Sequence, residues 1–62
     1  VAYLALYSAL QNVSQTDNNE VRNFILYNLQ RSEPYYNADQ FDNAQSILLK
    51  AVEKLGRQDY TN

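Results

Sequence analysis

The sequence predicts an all-α fold, a small up-down-up bundle of three helices at about 2–13, 18–31 and 38–55. Apolar residues recur at three- and four-residue intervals in three separate segments. The polar connections between them are short, which makes successive helices antiparallel neighbours. We therefore expect residues 1–62 to form a single domain. Because the chain begins with Val1 rather than methionine, we expect that it was excised or processed from a longer chain.

The first segment, residues 1–16, contains no charged residue. One apolar stripe follows helical spacing and consists of Tyr3, Leu6, Leu10 and Val13. Leu4 and Tyr7 lie off this stripe, so the helix is apolar on more than one side. Such a helix either lies centrally in the bundle or presents Leu4 and Tyr7 to a partner. Both interpretations stay open, since a domain this small can rarely cover a helix on every side.

The second segment places one apolar face at Val21, Phe24, Ile25 and Leu29. Thr16 or Asp17 is expected to cap its N-terminus, because Ser, Thr, Asp and Asn side chains accept hydrogen bonds from the first free amides. Pro34 is expected to end the helix near Arg31 or Ser32, since the residue before a proline is disfavoured in helical dihedrals.

The third segment carries the longest apolar stripe, made of Phe41, Ala44, Ile47, Leu48, Ala51, Val52 and Leu55. Asn37 is the expected N-cap, with Gln40 completing a capping box, and Asp39 is an alternative cap. Gly56 is expected to end the helix in the left-handed conformation. The tail at 57–62 has no periodic apolar residue and is expected to fray.

The predicted core combines the inward positions of all three helices. It consists of Leu6, Leu10, Val13, Val21, Phe24, Ile25, Leu29, Phe41, Ala44, Leu48, Ala51, Val52 and Leu55.

The composition argues against an enzyme and against a cofactor or a structural metal. The chain has neither cysteine nor histidine, which removes the commonest thiol nucleophile, general base and zinc ligands. Asp39 and Asp42 are one helical turn apart, but carboxylates near a helix N-terminus are favoured by its dipole. Ser46 and Lys50 share a helix face, a spacing that ordinary helices often show. We expect no catalytic, cofactor-binding or metal-binding residues.

Charge and hydropathy bear on the class of partner. The formal net charge is -2, whereas nucleic-acid binding needs a clustered positive face. Lys50, Lys54 and Arg57 do cluster, but cations are also favoured at a helix C-terminus. The apolar run at the start is shorter than the roughly 20 residues that a membrane span needs. We expect no nucleic acid, no membrane span and no small-molecule substrate.

The tyrosines are the most informative feature for function. Six tyrosines accompany many Asn, Gln and Ser residues, and tryptophan is absent. Rigid amphipathic rings beside uncharged hydrogen-bonding groups are typical of recognition surfaces. The candidate partner-binding residues are Tyr3, Leu4, Tyr7 and Tyr35. The alternative, which we prefer for Tyr3, Tyr27 and Tyr36, is a ring at the core edge with its hydroxyl in water.

Two partial resemblances concern helical folds. Four positions of the third helix resemble the second helix of a tetratricopeptide repeat, namely Phe41, Ala44, Leu48 and Ala51. Asn28, Arg31 and Ser32 depart from that family, which has a large aromatic, a leucine and a small residue there. The segments at 5–10, 20–23 and 47–55 are similar in order to those of three-helix immunoglobulin-binding modules of Gram-positive surface proteins, with loops of different length. We transfer no function from either resemblance.

The leading hypothesis is a non-catalytic helical module that binds another protein through an uncharged, tyrosine-bearing helical face. The charge-free first sixteen residues are the observation behind it. One alternative is a structural domain that uses the same face to pair with its own copy. Another is a small regulatory or immunity-type protein that captures a peptide in a helix-lined groove.

Overall fold

The computed structural model describes residues 2–61 and consists of three helices: α1 at Ala2–Val13, α2 at Asn19–Asn37 and α3 at Phe41–Gly56. Every pair of helices is in contact. Short loops reverse the chain between successive helices, so α2 runs antiparallel to its two neighbours and α1 runs parallel to α3. The Cα radius of gyration is 10.9 Å, close to the roughly 10.6 Å expected for a compact chain of this length. The predicted all-α three-helix bundle is confirmed.

Buried apolar side chains from all three helices form one core. Its members are Tyr3, Leu10, Phe24, Ile25, Leu29, Ala44, Ile47, Leu48 and Ala51. The predicted core is wrong at Val13, Phe41 and Val52, which are 49%, 43% and 43% exposed. In a three-helix bundle each helix meets only two neighbours, so the outer edge of a broad apolar stripe stays on the surface. Tyr3 and Ile47 occupy the core instead.

The N-terminus of α2 is capped by Asn18, which follows the predicted caps Thr16 and Asp17 by two residues and one residue. Asn18 Oδ1 accepts hydrogen bonds from the backbone N–H groups of Glu20 and Val21, at 3.0 and 3.2 Å. Thr16 still takes part, because its Oγ1 accepts from the backbone N–H of Asn18 at 3.2 Å. The turn before α2 is therefore held by side-chain oxygens of two residues.

Pro34 does not end α2, and the prediction that it would is wrong. The helix continues to Asn37, and the backbone N–H of Ala38 still donates to Pro34 O at 3.1 Å. A proline inside a helix removes one backbone hydrogen bond and crowds the preceding turn. Tertiary contacts of the following turn offset this cost: the Tyr36 ring stacks on Tyr3 at 4.6 Å and meets Phe41 at 5.3 Å between centroids.

Helix α2 ends in a Schellman motif whose left-handed residue is Asp39, with φ of 62°. The N–H of Gln40 donates to Tyr35 O at 2.8 Å, and the N–H of Asp39 donates to Tyr36 O at 3.1 Å. These two bonds satisfy carbonyls that the helix end would otherwise leave free. The predicted cap of α3 at Asn37 or Asp39 is therefore wrong, because both residues belong to the end of α2.

Helix α3 ends in the same way, with Gln58 rather than Gly56 in the left-handed region. Gln58 has a φ of 55°, whereas Gly56 is the last helical residue and has no positive φ. The N–H of Asp59 donates to Lys54 O at 2.9 Å, and that of Gln58 donates to Leu55 O at 3.1 Å. The left-handed residue thus lies two positions after the predicted Gly56, and the helix ends one residue later than predicted. The closing hydrogen bonds and not the glycine define this end.

Residues 57–61 of the C-terminal tail pack against the bundle, contrary to the predicted fraying. Asn62, which the same prediction covers, lies outside the described residues. The Tyr60 ring meets Phe24 edge-on at 6.0 Å between centroids. Lys54 Nζ donates to the backbone oxygen of Thr61 at 2.8 Å. Asp59 Oδ1 accepts from Thr61 Oγ1 at 2.6 Å, and this hydrogen bond lowers the pKa of the Asp59 carboxyl from its ordinary value. One aromatic ring thus anchors a segment that has no helical periodicity.

Candidate functional site

Each pair of helices borders a groove, and the three grooves differ in chemistry. At the α1–α2 groove, Tyr7 of α1 contacts Glu33 of α2, and helical spacing places Leu4 and Leu26 beside them. The α2–α3 groove is lined by Phe24, Asn28, Arg31, Ile47, Lys50, Ala51 and Lys54. The α1–α3 groove is bordered by Leu6, Ala9, Val13, Phe41, Gln45 and Val52, as the positions of the core residues and the helical spacing place them.

Tyr3 lies inside the bundle and is only 2% exposed. Its hydroxyl is 2.8 Å from Oγ of Ser32, which is also buried. Its ring stacks on Tyr36 and lies 5.9 Å from the Tyr7 ring. The predicted binding residue Tyr3 is therefore a core residue, and its hydroxyl bonds to protein instead of water.

Tyr7 and Leu4 remain accessible beside the α1–α2 groove. The Tyr7 hydroxyl donates to Glu33 Oε2 at 2.7 Å. This hydrogen bond to a carboxylate, followed by burial, raises the pKa of the Tyr7 phenol to about 12. Leu4 is 52% exposed on the same side of α1. The surface predicted to be uncharged therefore has a carboxylate at its centre.

Tyr35 lies at a different groove from Leu4 and Tyr7. It is exposed and borders a shallow depression with Arg31, Asn43, Ser46 and Ile47 between α2 and α3. The structure thus brings Tyr3 and Tyr7 together but does not place Tyr35 beside them. The four predicted binding residues do not form one continuous surface.

The α1–α3 groove combines exposed apolar side chains with an absence of charge among the residues that border it. Val13, Phe41 and Val52 are each nearly half exposed, and none of the six residues that border this groove is charged. All three residues belong to the core that the sequence predicts. The breadth of the apolar stripe on α3 is the sequence signal that could have identified this surface. Its seven apolar positions are more than one side of a helix can bury against two neighbouring helices.

The α2–α3 groove gathers positive charge around a small cavity. Arg31 on α2 faces Lys50 and Lys54 on α3 across a volume of about 80 Å³. The predicted basic cluster included Arg57 instead of Arg31. In the structure Arg57 forms an ion pair with Glu53 at 2.8 Å and does not line the cavity.

The two carboxylates considered for catalysis, Asp39 and Asp42, both lie at helix ends. Asp39 is the left-handed residue after α2, and Asp42 lies in the first turn of α3. Within residues 2–61, no three acidic side chains come together as metal ligands. The helices in this part of the chain are also too short or too polar to cross a membrane.

Comparison with known proteins returns no relative: no family model, curated protein or solved structure matches this chain. Its function is therefore inferred from the surfaces of the three-helix bundle.

Proposed function

We propose that this chain is a non-catalytic helical module that binds another protein through its α1–α3 groove. The observation that supports the proposal is the exposure of Val13, Phe41 and Val52, three large apolar side chains that are nearly half exposed. Helical spacing places them beside uncharged residues of α1 and α3. Depletion of charge with retention of aromatic and aliphatic side chains characterises the centre of protein interfaces. The sequence predicts binding through an uncharged helical face at Leu4 and Tyr7. We keep an uncharged helical face as the binding surface but assign it to the opposite side of α1.

The architecture favours a separate protein as the partner over a second copy. Nine buried apolar residues form a core within one chain, so folding does not require a partner. A standard interface covers about 800 Å² on each side, which is roughly a fifth of the 4184 Å² that this chain exposes. Obligate dimers, in contrast, bury larger and more continuous apolar faces.

The test compares two matched variants, Val52→Asp on the proposed groove and Leu4→Asp on the opposite side of α1. Both residues are exposed, so both variants should retain the helical circular dichroism and the cooperative unfolding of the wild type. Partners captured by immobilised wild-type protein are purified, and their affinities for the three proteins are measured by calorimetry. We expect Val52→Asp to weaken binding at least about tenfold and Leu4→Asp to leave it within about twofold.

The opposite ranking would return the binding surface to Leu4 and Tyr7 and overturn the proposed location. Sedimentation of the wild type across a concentration series tests the competing class of function. A dimer that Val52→Asp dissociates would replace the binding module with a self-associating domain. A monomer at all concentrations supports the proposal.

A further inference from the structure

The α2–α3 groove holds an unusual concentration of positive charge for a chain with net negative charge. Three of its five basic residues, Arg31, Lys50 and Lys54, line one cavity, and no acidic residue lines it with them. The dipole of α3 favours cations only within the last turn of the helix. That explanation covers Lys54 but not Lys50 or Arg31, each of which lies six residues before the end of its helix.

Within residues 2–61, none of the three cations around this cavity forms an ion pair within 4.0 Å. Lys54 interacts electrostatically with the Asp59 carboxylate of the tail, whereas no carboxylate lines the cavity beside Arg31 or Lys50. In residues 2–61 the ion pair found within 4.0 Å joins Arg57 and Glu53, outside the groove. Lys54 Nζ donates to the neutral backbone oxygen of Thr61, and the Arg31 guanidinium lies 6.0 Å from the centre of the Tyr27 ring. Neither contact supplies a full negative charge. Like charges held around one cavity repel one another, and a bound anion would remove this unfavourable interaction.

The size of the cavity indicates the size of its ligand. Its volume is about 80 Å³, whereas sites for whole small molecules usually enclose about 300–1,000 Å³. The size therefore favours a compact head group such as phosphate or carboxylate. The apolar side chains of Phe24, Ile47 and Ala51 line the cavity, and electrostatic attraction is stronger beside such low-dielectric walls than in open water.

We propose that the α2–α3 groove is a binding site for a small oxyanion, held by Arg31, Lys50 and Lys54. The guanidinium provides paired donors that match two oxygens of the anion, and the two ammonium groups contribute point charges from the facing helix. Phosphate binds more tightly than a carboxylate because it carries more charge and an additional acceptor oxygen. The site does not depend on the α1–α3 groove, which lies on another side of the bundle.

The test is an NMR titration of the ¹⁵N-labelled chain with inorganic phosphate at constant ionic strength, with acetate in a second series. Phosphate should give saturable shifts of amides around Arg31, Lys50 and Lys54, with amides of α1 unchanged. Arg31→Gln and Lys50→Gln should each weaken phosphate binding about tenfold, as expected for loss of a charged hydrogen-bonding group. Arg57→Gln is the matched control, since it removes an equal charge outside the cavity, and it should bind like the wild type. Saturation with acetate at lower concentration than phosphate would instead assign the site to carboxylates.

Thermal unfolding gives a second readout. A ligand that binds only the folded state raises the midpoint of unfolding, so phosphate should stabilise the wild type and Arg57→Gln more than Lys50→Gln. Shifts that stay linear with concentration, or equal losses in Lys50→Gln and Arg57→Gln, would show general screening of charge and overturn the proposal. Because Lys50 is exposed, its replacement should leave the fold intact in phosphate-free buffer.

Discussion

The hydroxyl of Tyr3 donates a hydrogen bond to Oγ of Ser32, and this bond joins α1 to α2 inside the core. The two oxygens are 2.8 Å apart, and either could donate by distance alone. However, Ser32 Oγ also donates to the backbone oxygen of Leu29 at 2.8 Å. A serine hydroxyl has one hydrogen, so Tyr3 is the donor in the bond between the helices.

This direction predicts that Ser32→Ala destabilises the fold more than Tyr3→Phe does. Ser32→Ala leaves the buried Tyr3 hydroxyl without an acceptor, which costs about 1–3 kcal/mol. Tyr3→Phe leaves Ser32 bonded to Leu29 and costs about 0.5–1.5 kcal/mol. Urea denaturation measures both free energies of unfolding. In the double variant the loss should be smaller than the sum of the single losses, and strict additivity would contradict the assigned bond.

The end of α3 predicts two stabilising substitutions. Gly56→Ala removes the flexibility of glycine at a helical position without positive φ, and an added Cβ would meet nothing within 4 Å. Gln58→Gly relieves the left-handed conformation of a side-chain-bearing residue. Each should raise the free energy of unfolding by about 0.5–1 kcal/mol. Gly56→Ala would be destabilising if Gly56 were the left-handed residue, so denaturation of this variant distinguishes the two helix ends.

Pro34→Ala should stabilise the protein. The substitution supplies a backbone N–H inside α2 and removes the steric conflict of the ring, which together cost about 3 kcal/mol in a helix interior. The more flexible unfolded chain of the variant reduces this gain by about 0.4–1 kcal/mol. We expect a net increase of about 2 kcal/mol in the free energy of unfolding. Pro34→Gly is the control and should gain less, because glycine is about 1 kcal/mol poorer than alanine in a helix. Loss of stability in Pro34→Ala would mean that α2 ends before this residue.

Tyr7 should titrate at higher pH than an exposed tyrosine. Its pKa is raised from 10.0 to about 12, mainly because its hydroxyl donates to Glu33. A raised pKa means that the bond stabilises the fold fully below pH 10.0 and that this contribution is lost as the pH rises towards 12. Ultraviolet titration of phenolate follows the ionisation, with Tyr7→Phe identifying the signal. Glu33→Gln should move the Tyr7 pKa back towards its ordinary value, and an unchanged titration would contradict the contact.

The sequence was sufficient to predict which segments form helices, because their apolar spacing is a local property of the chain. The sequence misplaces the end of α2, because the stacking of Tyr36 on Tyr3 that accompanies the helix beyond Pro34 joins residues distant in sequence. It also favoured Gly56 over Gln58 as the helix stop. Glycine has the highest propensity for the left-handed conformation, which favours Gly56. In the structure, the backbone hydrogen bonds to the oxygens of Lys54 and Leu55 determine where the left-handed residue lies.

The candidate surfaces were less predictable than the helices. Periodicity shows that a residue belongs to an apolar stripe but not how far its neighbours cover it, so Val52 was assigned to the core and Tyr3 to a surface. The cationic groove needed the relative placement of two helices. Lys50 and Lys54 share a helix face in the sequence, but Arg31 joins them only when α2 and α3 pack antiparallel.

The stacked rings of Tyr3 and Tyr36 also give the protein an intrinsic optical probe. The chain has no tryptophan, so tyrosine dominates its near-ultraviolet circular dichroism. The two rings are 4.6 Å apart at 16° and belong to different helices, so their coupled signal exists only while α1 is docked on α2. Far-ultraviolet circular dichroism reports the helices themselves. Comparing the two spectra during unfolding would therefore show whether α1 detaches before the α2–α3 hairpin melts, without any label.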